Sequence, residues 1–292
     1  MSIDRLQERI RKTKNPSVID LTVNTKVIPA AVLEQAGSWQ KAYLQYMQEL
    51  MESLRGVVPA LRFRFNGFAI YGAEGLELLK TITKRARRLG FYILLDAPES
   101  LGRMEAEQTA EILFCEDGLA TFDGVILTSY IGSDGIKPYA KLLKDNEKTL
   151  FVVIRTPNKS ASELQDLLTG SRLAHIAMAE KVNTIAGSLT AKCGYSHIGC
   201  AAAATSADSL RTLRSKYKNM FIFVDGYDYS AANAKYCSNA FDSLGHGAVV
   251  CAGQGITGAW IDSDCNEEMY LSVAVDAAER MKKNLTRYVT IL

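Results

Sequence analysis

Short apolar runs alternate along this chain with stretches whose hydrophobic residues recur every three or four positions, the patterns of buried strands and amphipathic helices. Ile3, Leu6 and Ile10 predict an opening helix over about 2–13. It should stop near Asn15-Pro16, because the residue before a proline is pushed out of the helical region. Ser17-Val-Ile-Asp20-Leu-Thr22-Val reads as a first strand. After Pro29, Val32, Leu33, Trp39, Tyr43, Tyr46, Met47, Leu50 and Leu54 make the apolar stripe of one long helix. In the second strand, Val57-Val-Pro-Ala-Leu-Arg62-Phe-Arg64-Phe, the arginines are two apart and therefore face the same way. A helix over 72–89 ends at Gly90.

The alternation then continues to the end of the chain. Phe91-Tyr-Ile-Leu-Leu-Asp96 is a third strand closed by Pro98, followed by a helix near 103–116 and a fourth strand over 122–128. Gly132-Ser-Asp134 offers a cap for the next helix, and 149–156 is the fifth strand. Ser162-Glu-Leu-Gln165 reads as a capping box opening one helix, with a second over 172–188. A sixth strand starts at His197, a helix covers 206–218, and a seventh strand runs from Met220 to Asp225. A helix over 230–242, an eighth strand over 247–251 and a closing helix over about 266–288 complete the pattern. Eight strands alternating with helices predict a single-domain α/β fold over 1–292, a (β/α)8 TIM barrel. No glycine-rich dinucleotide fingerprint follows the first strand, which argues against an open doubly wound sheet.

Composition narrows the function classes. With 48% hydrophobic and 23% charged residues, the 292-residue chain has material for a large core. The net charge is +2, and the run Lys84-Arg85-Ala86-Arg87-Arg88 lies on an amphipathic helix as a solvated face, so no nucleic-acid partner is expected. Six cysteines without CxxC spacing read as reduced, mostly buried residues and not as a disulfide frame or a metal site. The charged N-terminus has no apolar signal core and no run is long enough to span a membrane, so a cytoplasmic protein without a membrane partner is expected.

In such a barrel the carboxyl ends of the strands converge on one face. There the sequence offers Asp20, Thr22, Arg62, Arg64, Asp96, Glu99, Thr128, Arg155, Thr156, Asp225, Tyr227 and Gln254. The loops after strands seven and eight often hold a phosphate, and Gly253, Gln254 and Gly255 are the candidates here. Neither loop carries a lysine or arginine, and Asp225 and Asp228 oppose an anion. His175, His197 and His246 show no triad spacing with serine or cysteine, and no metal site is expected.

Several stretches resemble the orotidine 5'-phosphate decarboxylase family, in its longer-chain bacterial subgroup. They are Ile3-Asp-Arg-Leu with Lys14-Asn-Pro-Ser-Val, Tyr71-Gly-Ala-Glu-Gly-Leu76, Tyr130-Ile-Gly-Ser-Asp-Gly-Ile-Lys-Pro138 and Arg155-Thr-Pro-Asn with Ser162-Glu-Leu-Gln-Asp166. Gly247-Ala-Val-Val and Gly253-Gln-Gly-Ile256 complete the set. The resemblance implies a homodimeric barrel of pyrimidine biosynthesis that forms uridine 5'-phosphate without metal or organic cofactor. It also implies a lysine on strand two and an Asp-x-Lys-x-x-Asp motif after strand three.

Placed on this chain, the motif is degenerate. Arg62 stands for the first lysine and Asp96 survives, but Pro98 replaces the protonating lysine and Leu101 the second aspartate. Thr22 replaces an aspartate and Gln254 the phosphate-binding arginine. Proline has no proton to donate, and losing a general acid costs about two to four orders of magnitude. The expectation is a catalytically silent or repurposed relative that binds a nucleotide-like or other small ligand as a homodimer, Asp96 and Arg62 marking the old catalytic positions. Three alternatives stay open: a genuine decarboxylase; another lyase or isomerase with Asp96 or Glu99 as base and Arg62 or Arg64 as anion anchor; and a scaffolding paralogue paired with an active homologue.

Overall fold

The computed structural model describes residues 2–115, 118–128, 130–143, 145–187, 189–230, 232–261, 263 and 269–292. Eight parallel strands close into a barrel: β1 Ser17–Asp20, β2 Ala60–Arg64, β3 Tyr92–Asp96, β4 Gly124–Thr128, β5 Thr149–Val153, β6 Ile198–Ala203, β7 Ile222–Asp225 and β8 Ala248–Ala252. Each strand pairs with its neighbours in sequence, and β8 returns to β1. The predicted barrel is therefore present, with β1–β5 and β7 one to three residues shorter at one or both ends than the apolar runs suggested, and β6 and β8 starting one residue later. The strands are almost wholly buried because helices cover the outside while side chains fill the inside.

The register positions the chemistry. Asp20 pairs with Arg62, Arg64 with Asp96, and Ala203 with Asp225, so Asp20, Arg64, Asp96 and Asp225 end their strands at the mouth while Arg62 lies two residues deeper on β2. Below them the barrel is packed with aromatic rings: Phe151 lies 6.0 Å from Phe223, and the Arg62 guanidinium sits 5.3 Å over the Phe223 ring. Helix α1, Ser2–Thr13, closes the opposite end, burying Ile3, Leu6 and Ile10. There Ser2 bonds the Tyr92 hydroxyl at 2.9 Å and donates to the Asp123 carbonyl at 2.8 Å.

The structure corrects the sequence reading in several places. The long helix after Pro29 is two helices, α2 Ala30–Ala36 and α3 Trp39–Ser53. Gly37 breaks them in the left-handed region (φ 68°), and the Ser38 hydroxyl caps α3 by accepting from the Lys41 N–H. Directly after β2 comes a short helix, α4 Phe65–Ala69, then α5 Gly72–Arg88, with Gly90 in the left-handed region beyond its end. Helices α6 Arg103–Phe114 and α7 Ser133–Leu142 follow, but α7 starts without a side-chain cap.

The Ser162 capping box is not formed either. Lys159–Glu163 is a 3-10 turn, and Leu168–Thr169 pairs antiparallel with Arg172–Leu173 as a small hairpin before α8, Ala174–Ala186. Gln165, the box's last residue, instead reaches back to the loop after β5, its side-chain Oε1 accepting from the Thr156 N–H at 2.8 Å. A tertiary hydrogen bond thus outcompetes a local cap.

Helix α9 is Ala207–Lys216. The helix expected over 230–242 shrinks to α10 Ala234–Cys237 and a 3-10 turn, Ser238–Ala240. Helix α11, Gln254–Thr257, follows β8, and α12 Tyr270–Thr286 ends the fold, the predicted positions 266–268 lying outside the described residues.

Of the described cysteines, Cys200, Cys237 and Cys251 are buried, Cys193 is half-buried and Cys115 exposed; Cys265 lies outside the described residues. Two arginines of the basic run on α5 are drawn into ion pairs, Arg85 with Glu52 and Arg87 with the buried Asp123. Among the described residues no helix is long and apolar enough to cross a membrane.

Candidate functional site

A cavity of about 510 Å³ opens at the carboxyl ends of the strands. Its floor is an ion-pair network centred on Arg62, which is only 3% exposed. The guanidinium grips Asp96 with two bonds, Nε to Oδ1 at 2.8 Å and Nη2 to Oδ2 at 2.5 Å, and Nη1 donates to Asp225 Oδ1 at 2.7 Å. Asp20 Oδ2 is 3.9 Å from Nη1 and accepts from Arg64 Nε at 2.7 Å. The planar fork of arginine suits this, since one guanidinium can hold two carboxylates in fixed directions.

Thr22 completes the first strand's contribution. Its backbone N–H and hydroxyl both donate to Asp20 Oδ1, and the same hydroxyl oxygen accepts from the Arg64 N–H at 3.0 Å. The pKa directions follow from these contacts. Burial raises the Asp20 carboxyl, but Arg62, Arg64 and the hydrogen bonds together bring it below its ordinary value. At Asp96 burial wins over Arg62 and the carboxyl is raised; for Arg62 the surrounding carboxylates outweigh burial and hold it firmly protonated. Cys251, against Arg62 at the barrel floor, is pushed up by burial and stays a thiol.

Eleven of the predicted site residues line this cavity: Asp20, Thr22, Arg62, Arg64, Asp96, Glu99, Thr128, Thr156, Asp225, Gly253 and Gln254. Three do not. Arg155 is turned away into a two-bond pair with Asp166, at 3.0 and 2.8 Å, next to His175. The Tyr227 ring packs against the core, its hydroxyl shared with Asn284, because the loop reverses at Gly226. Gly226 has φ 85°, and a Cβ there would lie 2.4 Å from Pro157, so only glycine fits. Gly255 faces the Asp228 carboxylate rather than the cavity.

The structure adds Asn24, Asn158, Asp228 and Tyr229 to the lining. Asp228 was visible in the sequence as a polar residue just past a strand end. Asn24, Asn158 and Tyr229 reach the mouth only through the course of their loops. Pro98 and Leu101 stand in the loop after β3, where Leu101 is 79% exposed. Among the described lining residues Arg62 and Arg64 are the only cations, and both are already in ion pairs.

No protein-family model matches the chain. Full-length relatives do. A protein of Petrotoga mobilis named orotidine 5'-phosphate decarboxylase is 26% identical over 287 residues, 98% of both chains. One of the same name from Clostridium acetobutylicum is 27% identical over 288 residues, 98% of this chain and 99% of its own. It resembles the orotidine 5'-phosphate decarboxylases from end to end. The solved structure of Leishmania donovani OMP decarboxylase superposes with a TM-score of 0.73 at 20% identity, covering 97% of this chain and 99% of that one, and so shares the fold. Against this decarboxylase-like frame, the ion-paired floor is built from this chain's own residues, with Arg62 at its centre.

Proposed function

We propose that this chain is an orotidine 5'-phosphate decarboxylase-like barrel whose decarboxylation site has been rewritten, leaving it silent toward that substrate and free to bind another small molecule at the same mouth. The observation that carries the reading is the state of Arg62. A cation meant for substrate must present free donors, whereas this one spends three N–H bonds on Asp96 and Asp225. No described residue lining the cavity is a lysine or histidine that would protonate a carbanion, and the aspartates already surround the arginines. A substrate bearing both a carboxylate and a phosphate would meet five lining carboxylates, Asp20, Asp96, Glu99, Asp225 and Asp228, against two guanidiniums.

The test is direct: purified protein is incubated with orotidine 5'-phosphate and uridine 5'-phosphate is quantified by chromatography. We expect no turnover above background. A rate in the ordinary enzymatic range, about 1–10³ s⁻¹, would overturn the reading.

The rim supports a second copy of the chain as the partner. Ile70, Leu101, Met104 and Tyr130 are 76%, 79%, 71% and 83% exposed, and they follow the adjacent strands β2, β3 and β4. Large apolar side chains grouped at one edge are the usual material of an interface. Light scattering on the purified chain decides it: a strict monomer would remove the dimer.

A further inference from the structure

The loop after β8 is where a barrel of this kind would offer backbone N–H groups to a phosphate, and here another residue already holds them. Asp228, in the loop after β7, accepts the Gly253 N–H on Oδ2 at 2.5 Å and takes a second backbone hydrogen bond from Gly255. The fit is close, since a Cβ on Gly255 would come within 2.4 Å of Asp228 Oδ1. Gly226, held at φ 85° against Pro157, turns the chain so that Asp225 points to Arg62 and Asp228 to the neighbouring loop.

We propose that Asp228 is the specificity residue of the barrel mouth: its carboxylate takes the amides a ligand's phosphate would need, so that the pocket accepts unphosphorylated ligands and rejects phosphorylated ones. This rests on the reading of the mouth as a ligand site. Two effects act together. A phosphate approaching Gly253 would have to displace a charge-assisted hydrogen bond that costs no loss of ligand freedom, and it would meet a fixed negative charge as it did so. Inside the mouth no cation offsets that charge, because Arg62 and Arg64 are committed to Asp96, Asp225 and Asp20, and Arg280 lines the adjoining cavity on the other side of Asp228 and not the mouth itself. Gln254, beside the amides, contributes only a neutral amide group.

The experiment measures binding of uridine 5'-phosphate and of inorganic phosphate by isothermal titration to the wild-type chain, Asp228→Asn and Asp228→Gly. Wild type should bind neither. Asp228→Gly frees the amides and removes the charge, and should bind the nucleotide at least about tenfold more tightly than wild type. Asp228→Asn keeps a carbonyl oxygen for the Gly253 N–H and removes only the charge, so its gain should be smaller. Matching circular dichroism and melting curves establish that each variant is folded, and Asp228→Asn serves if the glycine variant is not. Tight wild-type binding of the nucleotide, or folded variants with no gain, would overturn the assignment. Wild-type binding without turnover would sink this inference alone, whereas turnover of orotidine 5'-phosphate would sink the functional reading itself.

Discussion

Replacing Arg62 by methionine should expose how much the barrel floor depends on one guanidinium. Methionine keeps much of the apolar stem while deleting every donor and the guanidinium that sits over Phe223. Asp96 would lose both of its bonds from Arg62, Asp225 its 2.7 Å bond, and Asp20 one of its two neighbouring cations. Removing one partner of a buried pair costs about 3–5 kcal/mol, chiefly through the charge left behind. At roughly 2–4 °C per kcal/mol for a chain near this size, the melting temperature at pH 7.5 should fall by about 10 °C. Arg64→Met is the control: Arg64's side chain is 47% exposed with a single pair to Asp20, and exposed pairs are worth at most about 1 kcal/mol.

The pH dependence has a definite sign. In wild type the arginines hold Asp20 below its ordinary value, so its contribution is present above the unfolded pKa and is lost only as pH falls through the lower folded one. Without Arg62, burial dominates at Asp20 as it already does at Asp96, and the folded variant holds protons that the unfolded chain releases. Its stability then falls as pH rises through those raised values. The deficit against wild type should therefore be smaller at pH 5 than at pH 7.5 in thermal melts followed by circular dichroism. A drop under about 2 °C at pH 7.5, or a deficit that grows on acidification, would refute the account of the floor as a charge network.

Two further outcomes follow from packing and surface. Gly199→Ala in β6 should destabilise the barrel by about 1–3 kcal/mol in urea unfolding, because its Cβ would lie 2.2 Å from the Phe221 carbonyl oxygen, and a neutral result would mean that the strands separate easily. Leu101→Glu, on the exposed rim, should shift a dimer towards monomer in light scattering with no loss of melting temperature in the monomer; an unchanged mass would place the interface elsewhere.

The alternation of apolar runs and amphipathic stretches determined the barrel. Parallel strands buried on both faces must be apolar throughout, and a helix covering them must carry one apolar stripe, so both periods are written into the chain. The same logic placed Asp20, Arg62, Arg64, Asp96 and Asp225 at strand ends, and the two-residue spacing of the arginines gave them a common face. Local sequence misled where a distant partner made the better bond. Gln165 abandoned its cap for Thr156, and Arg155, in line for the mouth, was claimed by Asp166 beside His175.

Only the closed barrel decided who pairs with whom at the mouth. Residues 163 positions apart, Arg62 and Asp225, meet because strand register and closure fix their heights, and no local pattern encodes that distance. The seating of Asp228 on Gly253 is of the same kind. The chain spells out the aspartate and the glycines, and the approach of two loops on neighbouring strands makes one the occupant of the other.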